Sequence, residues 1–407
     1  MKIVGLITEY NPFHNGHLYH LEQAKKITGA DYAIAVMSGN YVQRGTPAVF
    51  DKYTRTKMAI ACGVDLVLEL PICYAASSAE YFSMGAVSLL DALGVVDFIC
   101  FGSEYGDIDP FMTVAEILYQ EPHSYRDVLK SSLKAGHSFP LARMQALLSC
   151  YGHDISGLTE LISKPNNILG IEYCKALLLL GSNIAPLTIP RKSSNYHDQQ
   201  LQAEISSATA IRKAMEKQDS DDLLKKQMPP NAYTIFQEAY HRQGPVTEDD
   251  FSLLLKYKIM EENIDSLQTY ADVTPDLAAR IYNRLNDFSE FSSFVKVLKT
   301  KELTYTRISR ALLHILLQMK KDSIPPKTPY ARILGFKKDS QELLPHVKQA
   351  SRIPLLSKLA SSKQQLSSDA QKLLQKEIWA SNLYESVSSH KFSRDFIHDL
   401  QQTLIIH

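Results

Sequence analysis

The pattern of apolar and polar positions in the first half of the chain predicts strands that are followed by helices. Short runs of aliphatic and β-branched residues indicate buried strands at residues 3–7, 31–37, 65–70, 95–101 and 184–189. Apolar residues at helical spacing indicate helices at residues 17–27, 53–62 and 77–93. Strands that alternate with helices are typical of βαβ units, so we expect an α/β fold with a Rossmann-like parallel sheet.

The segments that follow the predicted strands should lie together. Ligands of parallel sheets bind beyond the carboxyl ends of the strands. We therefore expect one pocket to be lined by residues 8–17, 38–52, 71–80 and 102–106.

The pattern changes after Met215. The remainder is almost entirely helical in pattern, and turn residues such as Pro229-Pro230 and Pro325-Pro326 interrupt it. The sequence therefore predicts two domains, an α/β domain at residues 1–215 and an α-helical domain at residues 216–407.

Composition narrows the class of protein. The chain has 407 residues, of which 45% are hydrophobic and 22% charged, as in ordinary globular proteins. No apolar run approaches the roughly 18 residues of a membrane span, and the start of the chain does not have the pattern of a signal peptide. The 5 cysteines are odd in number, have no zinc-site spacing and mostly lie in apolar contexts, which is typical of reduced thiols. We therefore expect a cytoplasmic protein without a membrane partner.

Charge is distributed unevenly, although the formal net charge is zero. Residues 281–338 contain twelve Lys and Arg but four Asp and Glu, a local excess of eight positive charges. Such an excess favours a partner with a phosphate backbone.

The first candidate site is His14-Asn-Gly-His17, which directly follows the first predicted strand and begins a helix. The free backbone N–H groups and the dipole at a helix N-terminus attract phosphate. Gly16 leaves room for close approach, and two imidazoles can donate hydrogen bonds to phosphoryl oxygens. A surface or capping role for each histidine stays open from the residues alone.

The second candidate site is the stretch that contains Ser206, Ser207, Thr209 and Arg212. It places hydroxyl groups at a predicted helix start and a guanidinium one turn later, an arrangement that suits a polyphosphate. A plain helix cap is the alternative interpretation.

Basic residues and a tyrosine are concentrated in the helical half, within the positively charged segment. This cluster comprises Lys296, Lys299, Lys301, Tyr305, Arg307 and Arg310. Basic side chains interleaved with tyrosine are typical of RNA-binding surfaces, whereas a solvated helix face is the alternative.

Taken together, these motifs resemble those of the bacterial tRNA(Met) cytidine acetate ligases, within the nucleotidylyltransferase superfamily that shares His-x-Gly-His and Ile-Ser-x-x-Thr-x-Ile-Arg elements. The resemblance covers both halves of the chain. It is carried by residues 5–17, 37–45, 69–71, 101–104, 165–170, 205–212 and 305–310.

The resemblance implies an ATP-dependent enzyme that forms acetyl-adenylate, releases pyrophosphate and acetylates N4 of the wobble cytidine of elongator tRNA(Met). It implies that His14 and His17 are catalytic and that the helical half binds tRNA. Mg²⁺ is chemically compatible with ATP as a substrate, although the sequence shows no dedicated carboxylate site for it. The implied ATP-binding residues are Ile7, Thr8, Glu9, Tyr10, Asn11, Pro12, Phe13, His14, Asn15, Gly16, His17, His20, Gly102, Asn167, Arg191, Lys192, Ser206, Ser207, Thr209 and Arg212.

Two other functions remain open at this point. One is a small-molecule adenylyltransferase, and the other is a non-catalytic RNA-binding protein with a vestigial nucleotide site. A further hypothesis places Tyr10, Tyr41 and Phe50 around the methyl group of acetate. The sequence leaves the oligomeric state open.

Overall fold

The computed structural model describes residues 1–191, 206–217 and 221–407. The strands are β1 (Ile3–Thr8), β2 (Tyr32–Ser38), β3 (Tyr41–Val42), β4 (Thr46–Pro47), β5 (Leu66–Leu70), β6 (Phe98–Ser103), β7 (Ala185–Pro190), β8 (Ala331–Phe336), β9 (Leu355–Leu356) and β10 (Ile405–Ile406). The helices of the first half are α1 (Asn15–Thr28), α2 (Lys52–Ala61), α3 (Ile72–Ala75), α4 (Ala79–Ala92), α5 (Asp109–Gln120), α6 (His123–Lys134), α7 (Phe139–Tyr151), α8 (Leu158–Ser163), α9 (Pro165–Leu180) and α10 (Ala208–Glu216). Those of the second half are α11 (Asp221–Lys226), α12 (Pro230–Ala239), α13 (Ser252–Met260), α14 (Ile264–Leu267), α15 (Pro275–Asn283), α16 (Phe291–Leu298), α17 (Tyr305–Leu316), α18 (Leu343–Ala350) and α19 (Ser368–Lys391).

The α/β fold expected from the alternating pattern is confirmed. The main sheet has the order β10-β8-β5-β2-β1-β6-β7, and β9 pairs with β8. Strands β5, β2, β1, β6 and β7 all run parallel. Each of the five strands predicted from the first half is present within a few residues of its expected bounds.

Both faces of this sheet are buried, which explains the continuous apolar runs of its strands. Alternate side chains of a strand point to opposite faces. Ile34 and Val36 of β2 accordingly enter one core, whereas Ala33, Ala35 and Met37 enter the other.

The second half of the chain is not purely helical, so that expectation was wrong in one respect. It contributes β8, β9 and β10 to the main sheet, and β8 pairs antiparallel with β5, which makes the sheet mixed. Strand β8 is a six-residue run that is almost wholly buried, and a run of this length cannot be assigned to a strand or a helix from periodicity alone. The domain boundary at residue 215 stays a prediction.

A buried cluster of charges joins β8 and the C-terminal segment to the first half. Lys52 Nζ lies 2.9 Å from Glu69 Oε1 and 3.1 Å from Asp399 Oδ1. Arg332 Nη1 lies 3.1 Å from Glu69 Oε2 and 2.7 Å from Asp399 Oδ2. Two cations and two carboxylates are thus mutually neutralised, which is a condition for burying charge at tolerable cost.

Across the described ranges of the chain, none of the helices combines the length and apolar character needed to traverse a lipid bilayer.

Candidate active site

A cavity opens at the carboxyl ends of β1, β6 and β7, and its empty space is about 1270 Å³ including the mouth open to solvent. Ten of the residues implied for ATP binding line it. They are Ile7, Thr8, Glu9, His14, Gly16, His17, His20, Gly102, Arg191 and Ser206. The position agrees with the rule that parallel sheets bind ligands beyond their strand ends.

Three of the four segments that were expected to line one pocket contribute to this cavity. Residues 8–17, 38–52 and 102–106 each supply lining residues. The expectation was wrong for residues 71–80, from which no described residue reaches the lining. The cavity lies over β1, β6 and β7, whereas residues 71–80 follow β5, which is separated from β1 by β2. Phe82, in α4, approaches the cavity instead.

The two histidines of the opening motif cap α1 and also face the cavity. The Gly16 backbone N–H donates to His14 Nδ1 at 3.0 Å, and the His14 backbone N–H donates to His17 Nδ1 at 3.3 Å. Their rings stack with centroids 3.7 Å apart. Because each Nδ1 accepts a backbone proton, the proton of each neutral ring is on Nε2. The capping interpretation is therefore correct, and it fixes the tautomer that can donate to a ligand.

These imidazoles are held in the neutral form. Burial, together with the charges of Arg191 and Arg212, lowers the pKa of His14 to about 3. Burial and the neighbouring His14 lower the pKa of His17 well below its ordinary value. Burial and Arg191 likewise lower the pKa of His20 to about 4. At neutral pH the α1 N-terminus therefore presents neutral Nε2–H donors in a positive environment.

The second motif lies beside the first. Ser206 lines the cavity, and the Ala210 backbone N–H donates to Ser207 Oγ at 3.2 Å, which caps α10. Arg212 Nη1 donates to the Asn11 carbonyl oxygen at 2.8 Å, and Arg212 Nη2 donates to Thr209 Oγ1 at 3.2 Å. The structure thus brings together two motifs that are almost 200 residues apart in sequence.

Several residues that were implied for ATP binding do not line the cavity but are buried beneath it, where they support the residues that do. Tyr10 and Phe13 are buried, with ring centroids 4.7 Å apart, and they flank the intervening residues Asn11 and Pro12. The Val49 backbone N–H donates to Asn11 Oδ1 at 2.8 Å.

Two asparagines that were implied for ATP binding, Asn15 and Asn167, also do not line the cavity. Asn15 Nδ2 donates to the Lys226 carbonyl oxygen at 2.8 Å. Asn167 is fully buried, and its Oδ1 accepts the Glu104 backbone N–H at 2.9 Å, whereas its neighbour Asn166 lines the cavity. Lys192 lies outside the described residues.

The hypothesis of an acetate pocket formed by Tyr10, Tyr41 and Phe50 was wrong. All three side chains are at most 1% exposed, and none lines the cavity. The Tyr41 hydroxyl instead donates to the Ala380 carbonyl oxygen at 3.2 Å.

A model of the HIGH nucleotidyl transferase family matches residues 1–398. The tRNA(Met) cytidine acetate ligase of Acetivibrio thermocellus is 41% identical over 415 residues, which span 100% of both chains. The ligase of the same name from Clostridium perfringens is 42% identical, with 98% of each chain covered. The chain belongs to the tRNA(Met) cytidine acetate ligase family.

Solved structures agree with this family membership. Thermotoga maritima TmcAL in its apo form is 33% identical and superposes with a TM-score of 0.94, covering 100% of this chain and 99% of that one. A second TmcAL structure, which is bound with alpha-thio ATP, has a TM-score of 0.91 at the same identity and coverage.

In this member of the ligase family, the β3–β4 hairpin adds cavity residues that the sequence analysis did not single out. Gln43 and Arg44 occupy its turn and line the cavity, and Arg44 Nη1 lies 3.4 Å from Thr209 Oγ1. Both residues lie in the segment 38–52 that was expected to line the pocket and in the resemblance motif 37–45, but neither signal indicated these two side chains. Phe101, Leu169 and Tyr173 add an apolar wall.

The hairpin connects the cavity to α17. The Ser309 hydroxyl donates to the Gly45 carbonyl oxygen at 2.9 Å. Gly45 has a φ of 78° and packs directly against the Arg310 backbone. The hairpin that lines the cavity is therefore in direct contact with the basic half of the chain.

The residues expected to bind tRNA lie in one stretch of this helical half, from the end of α16 into α17. Lys296, Lys299 and Lys301 are exposed at the end of α16 and in the connection that follows it. Tyr305 and Arg307, half-buried, lie in the first turn of α17. Arg310 Nε donates to Asp272 Oδ2 at 2.9 Å, so part of its charge is neutralised within the protein.

Proposed function

We propose that this protein uses ATP and acetate to form acetyl-adenylate and then acetylates N4 of the wobble cytidine of elongator tRNA(Met). The observation that carries the proposal is the pair of neutral Nε2–H donors of His14 and His17 at a helix N-terminus within a large cavity. Similarity to the ligases along the full chain supports the choice of substrates.

In the first step, an acetate oxygen attacks the α-phosphorus of ATP. The new O–P bond forms as the bond to the β-phosphate breaks, and pyrophosphate leaves with the electron pair. Fixed donors aimed at the phosphoryl oxygens stabilise the charge that develops there. His14, His17 and the α1 N-terminus supply such donors, and Arg191 and Arg212 supply positive potential.

The assignment of ATP contacts is part of this proposal. The ten implied residues that line the cavity would contact the nucleotide, and Ser207, Thr209 and Arg212 would position the groups around the departing phosphates. The basic cluster beginning at Lys296 would bind the tRNA backbone. Acetate as the acid, elongator tRNA(Met) as the acceptor and a cytoplasmic location belong to the same proposal.

Mg²⁺ would arrive with ATP. The described residues contain no group of three or more His, Cys, Asp or Glu side chains that could hold a metal ion. Phosphate oxygens and water would therefore supply most of its ligands, as is usual for Mg²⁺ bound through nucleotides.

The test is ATP–pyrophosphate exchange with and without acetate, followed by mass analysis of nucleosides from added tRNA(Met). We expect acetate-dependent exchange and N4-acetylcytidine. His14→Asn keeps a side-chain oxygen that can cap α1 but removes the imidazole, and we expect it to lower exchange by about 10²–10³-fold. His153→Asn, at an exposed histidine outside the cavity, is the matched control and should leave exchange unchanged.

Other outcomes would redirect the assignment. ATP–pyrophosphate exchange that does not depend on acetate but requires a phosphorylated metabolite would indicate a small-molecule adenylyltransferase. tRNA binding without exchange under any condition would indicate a non-catalytic RNA-binding protein.

A further inference from the structure

Glu9 is the only acidic side chain among the described residues that line the cavity. Its Oε1 accepts the Gln43 backbone N–H at 2.9 Å. Arg55 Nη1 donates to the Glu9 backbone carbonyl oxygen at 2.6 Å. No hydrogen bond to Oε2 is present within the described part of the chain, so one carboxylate oxygen is held by the hairpin while the residue lines the cavity.

Although Glu9 is one of the ten residues assigned to the nucleotide, its carboxylate is poorly suited to contacting the triphosphate, because like charges in a partly buried site repel each other. The second step of the proposed reaction has a different requirement. The exocyclic amine of cytidine is a weak nucleophile, and its nitrogen becomes positively charged and acidic as it attacks the acetyl carbon. A nearby anion would stabilise that charge and accept the proton.

The other polar groups of the cavity are less suited to this role. His14 and His17 use Nδ1 to accept backbone protons, so they offer donors to a ligand. Arg44 and Arg191 are cations. Burial lowers the pKa of His20 to about 4, and its neutral ring gives no charge stabilisation to the attacking nitrogen.

Glu9 also lies on the side of the cavity that is connected to the basic half. It binds the hairpin at Gln43, and Gly45, two residues further on and at most about 7 Å along the chain, packs against the α17 backbone at Arg310. A nucleotide delivered from the α17 side would meet this carboxylate.

We infer that Glu9 is the general base of the acetyl-transfer step. The cytidine N4 lone pair attacks the acetyl carbonyl carbon, the C–N bond forms, and the acyl C–O bond to phosphate breaks. AMP leaves with that electron pair, the Glu9 carboxylate takes the N4 proton, and the proton passes to solvent. This inference rests on the proposed function.

The experiment separates the two half-reactions. ATP–pyrophosphate exchange with acetate measures the first, and single-turnover acetylation of tRNA(Met) from chemically prepared acetyl-adenylate measures the second. Glu9→Gln keeps an oxygen that can accept the Gln43 N–H but cannot take up the proton. We expect it to lower transfer about 10²-fold more than exchange, which is within the usual contribution of a general base.

Three further variants define the comparison. Glu9→Asp restores a carboxylate, so it should recover part of the transfer rate that Glu9→Gln loses. Glu160→Gln makes the same chemical change at an exposed position and should leave the ratio of the two rates unchanged. His20→Asn tests the competing acceptor and should alter that ratio less than Glu9→Gln does.

An equal fall in both half-reactions, unaffected transfer, or a transfer defect explained by weaker tRNA binding would each overturn the assignment of Glu9. A selective transfer defect in His20→Asn but not in Glu9→Gln would also overturn it. If the parent protein shows no acetate-dependent exchange, the proposed function fails instead, and this outcome is distinct because it precedes any comparison of variants.

Discussion

Replacing Gly45 with alanine should disrupt the contact between the cavity hairpin and α17. A Cβ at this position would lie 2.5 Å from Arg310 Cα and closer still to Arg310 N. These are backbone atoms within a helix, so they cannot move aside as the end of a flexible side chain can. The φ of 78° adds strain, because this conformation is unfavourable for residues with a Cβ.

The expected loss of stability has two parts. The backbone conformation costs about 1–2 kcal/mol, and forcing an extra carbon into a packed contact costs about 1–3 kcal/mol. Gly29→Ala is the matched control, because Gly29 has a φ of 62° and nothing lies within 4 Å of the position that its Cβ would take. The control should therefore lose only the first part.

Urea unfolding of both variants measures the difference, and ATP–pyrophosphate exchange measures its consequence for the site. We expect Gly45→Ala to be the less stable variant by about 1–3 kcal/mol. It should also reduce exchange, because Arg44 reaches the cavity from the same turn. Equal stability of the two variants would refute the close packing of the hairpin on α17.

Three other predictions address the histidines, the buried charges and the basic surface. Because the pKa of His14 is about 3, the rate of ATP–pyrophosphate exchange should show no titration of this ring near pH 6.5, and NMR titration would detect the low pKa directly. The contribution of the neutral His14 ring to the free energy of unfolding is complete above pH 6.5 and is lost as the pH falls towards 3, which acid unfolding would detect. Lys52→Met leaves two buried carboxylates without their ammonium partner, so urea unfolding should show a loss of about 3–5 kcal/mol, whereas Lys57→Met, at an exposed ion pair, should lose at most about 1 kcal/mol. Lys299→Ala should weaken tRNA binding and reduce the slope of log affinity against log salt by about 1, as measured by filter binding across salt concentrations.

The sequence indicated the parallel part of the fold because local signals and tertiary structure agree there. Short apolar strands alternate with helical repeats, and burial on both sheet faces requires that pattern. The opening histidines were also detectable, since a strand, a turn and a helix start are all encoded within 28 residues.

Other features depend on contacts that no local pattern contains. Strand β8 joins the sheet beside β5, more than 250 residues earlier in the chain, and the short apolar run carries no sign of its partner. The two adjacent asparagines, Asn166 and Asn167, are equivalent in composition, yet the turn of α9 buries one and directs the other to the cavity. The hairpin that carries Arg44 is joined to α17 by the hydrogen bond between Ser309 and Gly45, which lie 264 residues apart in sequence.

The variants at Gly45 and Glu9 together separate geometry from chemistry in this cavity. The hairpin contacts the Glu9 carboxylate through Gln43 and contacts α17 through Gly45, so it is a single packed connection between the nucleotide site and the basic half. Displacing it with Gly45→Ala changes the positions of several cavity groups at once and should reduce both half-reactions. Glu9→Gln preserves the shape and removes only a proton acceptor, so its effect should concentrate in transfer. If the two variants gave the same pattern, Glu9 would act by holding the hairpin, and its carboxylate would have no separate chemical role.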